Sequence, residues 1–167
     1  MDDSSFREYV AARGLALTRT AYLLCGNQHD AADLVQTALS RAYADWGRVS
    51  RMGSPDAYIR RIMANQRTSW WRSRRREHLT PGPLLDRVAE DRTDNVAIAD
   101  LVRAAVRALP PKQRAAIVFR YFEDLDDAAI AYALDCSPAT VRSQISRALT
   151  QLRQRADLSE LVGVEGS

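Results

Sequence analysis

Lysine is nearly absent from this 167-residue chain: of 24 basic residues only Lys112 is a lysine, and the rest are arginines. Arginine forks suit phosphate and guanine, but a GC-rich genome produces the same skew for no physical reason and is the simpler explanation. Cysteine is scarce as well. Cys25 and Cys136 lie far apart, and neither His29 nor His78 stands at ligand-like spacing from them. That leaves no zinc pattern and reads as two buried, reduced thiols. No apolar run approaches 18 residues and no basic-then-apolar segment opens the chain, so a soluble, cytoplasmic protein without membrane insertion is expected. There is no phosphate loop, no metal spacing and no pairing of a nucleophile with a base. An enzyme, a metal and a cofactor are therefore not expected. Long alternating β-branched runs are missing too, while alanine, leucine and arginine abound, which points to an all-α fold.

What is present is laid out unevenly. The net charge is only +3, yet residues 51–80 hold eight arginines against two acids, and residues 81–100 hold five acids against two arginines. One segment thus carries most of the positive field. TPGPLLDRVAEDRTDN (80–95), with its prolines, glycine and acids, reads as a flexible linker and domain boundary. The expected plan is two small helical domains, 1–79 and 96–157, around the linker 80–95, with a frayed tail at 158–167.

Periodicity fills in the helices. From Ser4 or Ser5, apolar residues recur at Phe6, Val10, Leu17 and Leu24, ending near Cys25-Gly26-Asn27. A second helix from about Asp30 carries the stripe Leu34, Val35, Ala38, Leu39, Ala42 and Trp46. Gly47 to Gly53 breaks it, and Ser54-Pro55 starts a third helix that runs to about Glu77. Beyond the linker, patterning resumes from about Val96 to Leu109. A further helix opens at Pro111 or Lys112 and bears Ala116, Ile117, Val118, Phe119 and Tyr121; others span Asp127 to Leu134 and Ser137-Pro138 to about Ala156.

Two stretches could carry function. In and around ALDCSPATVRSQISRAL (133–149), one short apolar face holds Ile130, Ala131 and Leu134, and another holds Val141, Ile145, Leu149 and Leu152. Faces this close in sequence must cross steeply to share a core, as in a helix-turn-helix. Opposite the core lie Thr140, Arg142, Ser143, Ser146 and Arg147, behind the cap Ser137. Short hydroxyls interleaved with arginine can enter a major groove, although a plain solvated face is the bland alternative. Asp135 sits where such a turn usually wants glycine, a position that aspartate tolerates.

The third helix is the other stretch. Its apolar side is Ile59, Ile62, Met63 and Trp70, and beside it run Arg60, Arg67, Trp71 and Arg74, with Arg72, Arg75 and Arg76 in the segment WWRSRRRE. Cations and an indole on one face suit partly single-stranded nucleic acid.

Taken together, DAADLVQTAL (30–39), DAYIRRIMANQRTSWWRSRRR (56–76) and LPPKQRAAIVFRYFEDLDDAAIAYALDCSPATVRSQISRALTQLR (109–153) resemble bacterial RNA polymerase sigma factors of the extracytoplasmic-function type, within the sigma-70 family. The resemblance spans about Phe6 to Ala156. It implies a region 2 helical bundle that binds core RNA polymerase and the minus-10 element, and a region 4 helix-turn-helix that reads the minus-35 element. On that basis Asp33, Leu34, Gln36 and Thr37 would meet the beta-prime clamp helices. Arg60, Asn65, Arg67, Trp71, Arg72, Arg74 and Arg75 would hold minus-10 DNA. Ser137, Thr140, Arg142, Ser143, Ser146 and Arg147 would face the minus-35 groove. The beta flap of polymerase and an anti-sigma factor are further partners known in the family. The loop Gly47–Gly53, which would help receive a flipped base, has no aromatic of its own. A stand-alone helix-turn-helix regulator that binds duplex DNA without polymerase is the alternative reading.

Overall fold

The computed structural model describes residues 3–77 and 94–164, with the side chains of 3–74, 76 and 101–155. The expected linker lies almost wholly outside these residues. Among them, every regular element is helical: α1 (Asp3–Cys25), α2 (Gln28–Ala44), α3 (Trp46–Val49), α4 (Pro55–Glu77), α5 (Asp94–Arg107), α6 (Pro111–Ile117), a π-helical segment Val118–Phe122, α7 (Asp127–Leu134) and α8 (Pro138–Val164). No helix among the described residues is long and apolar enough to cross a membrane.

The boundaries have local causes. Helix α1 stops at Gly26, whose φ of +83° is left-handed. Gly26 is also where Arg107 passes, since a Cβ there would lie 2.3 Å from the Cδ of Arg107. Asn27 then caps α2 by accepting from the amide of Asp30 at 2.8 Å. The loop expected at 47–53 instead begins with the helical turn α3, because Trp46 and Val49 both turn into the core. Trp46 lies 5.3 Å edge-on from Phe6 and donates through Nε1 to Ser5 Oγ at 3.3 Å. Ser54 caps α4 through the amide of Ala57, with Pro55 in its first position. Helix α8 runs on to Val164, past the end expected near Ala156. Tyr121, expected on the apolar face after Pro111, is exposed instead. The π-helical segment buries Val118 and Phe119 and turns the residues after them outward.

The halves on either side of the linker share one core. Leu17, Leu24, Leu34, Ile59 and Met63 from α1, α2 and α4 belong to the same buried cluster as Val106, Phe119, Ile130, Leu134 and Val141. A smaller cluster of Leu109, Ile117 and Ala148 lies beneath α8, packed by Ile145, Leu149 and Leu152. Cys25 is buried at the end of α1, and that burial pushes its thiol up to about 11.

Where the halves meet, the buried Arg114 does the polar work. Its guanidinium donates to Leu24 O at 2.7 Å, Val106 O at 3.2 Å and Leu109 O at 3.1 Å, and also to Arg107 O. These are carbonyls at and beyond the ends of α1 and α5, where helical partners run out; Val106 O also accepts from the amide of Leu109. Burial, reinforced by the charge of Arg67, lowers its pKa to about 10, so it stays charged at neutral pH. Replacing Arg114 with alanine should therefore cost about 3 kcal/mol, because Arg107 O and Leu109 O lose this donor while Leu24 O keeps only Arg67 and Val106 O only the amide of Leu109. Urea midpoints with an unchanged m-value would measure this, and a loss below about 1 kcal/mol would mean that water replaces the guanidinium.

Candidate nucleic-acid interface

Caps at both ends of α7 and at the start of α8 set the geometry of this helix pair. Asp126 caps α7, accepting from the amide of Ala129 at 2.8 Å. Asp135 closes it in the left-handed region, φ 55° and ψ 52°, as the sequence led us to expect. Ser137 Oγ accepts from the amide of Thr140 at 3.1 Å and so starts α8. Val141 and Ala148 are then buried, with Ile145 and Leu149 half-buried beside them. The opposite face carries Ser137, Thr140, Arg142, Ser143, Ser146 and Arg147, all six exposed. Arg142 Nη1 lies 3.3 Å from Asp127 Oδ2, while the other oxygen of Asp127 is held by Arg120.

The arginine stripe of α4 divides. Arg67 is half-buried and donates through Nε to Leu24 O at 3.2 Å. Burial lowers its pKa. Arg74 places both terminal nitrogens on Asp30, at 3.0 and 3.1 Å, as a bidentate fork. These two side chains fasten α4 to the end of α1 and the start of α2 in this arrangement. Arg60 lies 2.9 Å from Glu123 of the other half. Trp70 packs on the core, and Trp71 is half-buried without belonging to it. The side chain of Arg75 lies outside the described residues.

What α4 does present is a different face. Asn65, Thr68, Ser69, Arg72, Ser73 and Arg76 line a cleft of about 560 Å³, closed on its far side by Lys112, Leu134 and Asp135. Only Asn65 and Arg72 of these were expected. The rest follow from helical spacing counted from Asn65, i+3, i+4, i+7, i+8 and i+11, which makes them one polar face. On α2, Asp33 and Gln36 are exposed and Thr37 is half-buried. Leu34 is fully buried, which corrects its expected role at the polymerase surface: it is a core residue. His29, Asp30 and Asp33 stand close enough to share a cation, but the carboxylate of Asp30 is already held by Arg74 and Asn27.

The chain matches the family models for Sigma-70 region 2 over residues 10–77 and Sigma-70, region 4 over residues 99–152. It is 40% identical to the RNA polymerase sigma-E factor of Streptomyces avermitilis over 156 residues, 93% of this chain and 87% of that one. This chain is a sigma factor of the sigma-70 family. It is also 36% identical to the extracytoplasmic-function sigma factor SigE of Mycolicibacterium smegmatis, over 89% of this chain and 60% of that one. The solved structure of the sigma factor RpoE of Bartonella quintana, in complex with the anti-sigma factor NepR, matches with a TM-score of 0.74 at 25% identity, covering 92% of this chain and 97% of that one. The match to that structure therefore takes in both halves of this sigma factor. As a family member it gives RNA polymerase its promoter specificity.

The Asp30–Arg74 pair sets an acid-side limit on the fold. The Arg74 fork, against the opposing effect of burial and with help from Asn27, holds the Asp30 carboxyl below the ordinary carboxylate range. A depressed carboxylate stabilises the fold above its unfolded pKa of about 4, and the contribution fades as pH falls through the folded value. Asp30→Asn should therefore be less stable than the natural chain by up to about 1 kcal/mol at pH 7, with the gap closing below about pH 4. Denaturant titrations at the two pH values test this, and a gap that does not vary with pH would refute it.

Proposed function

We propose that this sigma factor reads the minus-35 duplex with the exposed face of α8 and the minus-10 strand with the polar face of α4, while α2 docks on core polymerase. The observation that carries the reading is the α8 face. Six short or cationic side chains stand exposed on one side of a capped helix whose other side is buried in the core. Arg142 and Arg147 are placed to fork onto guanine, with Thr140, Ser143 and Ser146 between them for phosphate or base edges. Ser137 contributes as the cap, since its oxygen is occupied by the amide of Thr140. On α4 the set for minus-10 DNA is Asn65, Arg72 and Arg76, flanked by Trp71, with Arg60 joining once Glu123 releases it. Asp33, Gln36 and Thr37 form the part of α2 offered to the clamp helices. A regulator of the NepR kind would meet both halves together, in the arrangement seen here. A stand-alone duplex binder is not favoured, because the family matches account for both halves.

The direct test adds the purified chain to core polymerase and maps transcript start sites; absence of specific transcripts would overturn the reading. Arg142→Ala or Arg147→Ala should each weaken minus-35-dependent initiation by about 5- to 150-fold, the range expected for a lost arginine–guanine fork, with polymerase binding intact. Unchanged promoter selectivity would count against the groove assignment. Within α4, neighbouring arginines should separate. Arg72→Ala should lower minus-10 strand binding and flatten its salt dependence by roughly one phosphate contact, whereas Arg74→Ala should lower stability instead. Identical behaviour of the two variants in both assays would sink the division of the helix into a fastening side and a DNA side.

A further inference from the structure

One carboxylate of the C-terminal half is shared by two arginines. Asp127, in the first turn of α7, is held on Oδ1 by Arg120, and Arg142 of α8 places Nη1 3.3 Å from its Oδ2. Arg120 comes from the π-helical segment, between buried Phe119 and exposed Tyr121, and its own Nε is enclosed by protein. The three side chains grade outward: Arg120 and Asp127 are each 30% exposed, and Arg142 is 63% exposed. Starting α7 does not need this carboxylate, because Asp126 already caps the helix. Arg147, the other arginine on the exposed face of α8, has no such ion pair among the described residues.

We propose that Asp127 is a positioning residue for promoter recognition, holding the guanidinium of Arg142 in the direction that reads one base pair of the minus-35 element. The proposal rests on the reading of α8 as the minus-35 helix. A free arginine side chain samples many rotamers, and ordering it on a base lowers affinity by about 2- to 12-fold. A carboxylate that orders it beforehand removes that handicap. With Nη1 turned to Asp127, Nε and Nη2 remain as a parallel pair of donors on the other edge, a fork that matches N7 and O6 of guanine. The pair itself adds little to stability, since Arg142 is mostly exposed. What it sets is direction. A bare carboxylate at this place would repel phosphate, and Arg120 answers that by occupying the second oxygen. The three groups together keep one net positive charge. Arg120 thus acts through Asp127, and Asp127 through Arg142.

The test uses the full chain assembled with core polymerase, on a promoter that the natural chain initiates from. Each minus-35 base pair of that promoter is replaced in turn by the other three, and initiation relative to the parent promoter gives a base-preference profile for each variant. Arg142→Ala and Arg147→Ala locate the base pairs that the two arginines read. The probe variant is Asp127→Asn, whose amide offers one acceptor oxygen where the carboxylate offers two, so Arg120 and Arg142 cannot both be served. It should lower the preference at the Arg142 base pair by about 2- to 12-fold. The preference at the Arg147 base pair should stay as it is, and adding Asp127→Asn to Arg142→Ala should change the profile no further. A folding defect would not imitate this result, because each profile is a ratio within one preparation. A uniform change across all promoters, equal loss at both base pairs, or the same effect with and without Arg142 would overturn the proposal. A profile that Arg142→Ala leaves wholly unchanged would instead sink the reading of α8 itself, and the positioning role with it.

Discussion

The carbonyl end of α1 is the point on which the rest of the structure depends. Leu24 O accepts from both Arg67 and Arg114, and Gly26 O accepts from Arg107 at 3.3 Å. A helix end exposes unpaired carbonyls and the negative end of its dipole, and a cation there is favoured on both counts. Three arginines meet this one end, from α4, α5 and α6. They come from both sides of the linker, so the same few atoms terminate α1, seat α4 and join the halves. Gly26 makes room for this by having no side chain where Arg107 crosses.

Arginine thus does two kinds of work in this protein, and the chain's preference for it over lysine acquires a physical use whatever its origin. A guanidinium can reach several carbonyls at once while staying charged, as Arg114 does with four. A single ammonium could not span the ends of two helices. The arginines on α8 keep their forks outward, and those on α4 are shared between the two uses.

Much of this was legible in the sequence. The turn before α8 could be read because each of its requirements is local: a cap at Ser137, a proline in the first turn, and a left-handed residue at Asp135. The start of α4 was readable for the same reason. Other features had no local signature. A four-residue turn such as α3 is too short to show a period, and what fixes it is the burial of Trp46 and Val49 against distant residues. Helical spacing grouped Arg60, Arg67 and Arg74 on one stripe but could not say that Arg67 and Arg74 meet the end of α1 and the start of α2 while Arg60 meets Glu123. The acidic linker separates two patterns in sequence, and composition does not report whether the modules on either side pack together. Leu34 was misplaced because a family role was carried over without asking which side of α2 is buried.

The two thiols report on different events. Cys136 is half-buried beside the turn into α8, whereas Cys25 is buried where the three arginines converge, its thiol held protonated far above neutral pH. A thiol reagent reaches Cys25 only when the end of α1 comes apart, so the rate of its labelling is a clock for the opening of the joint between the halves. The protein carries that clock without any label being added, and the natural chain can be timed by it directly.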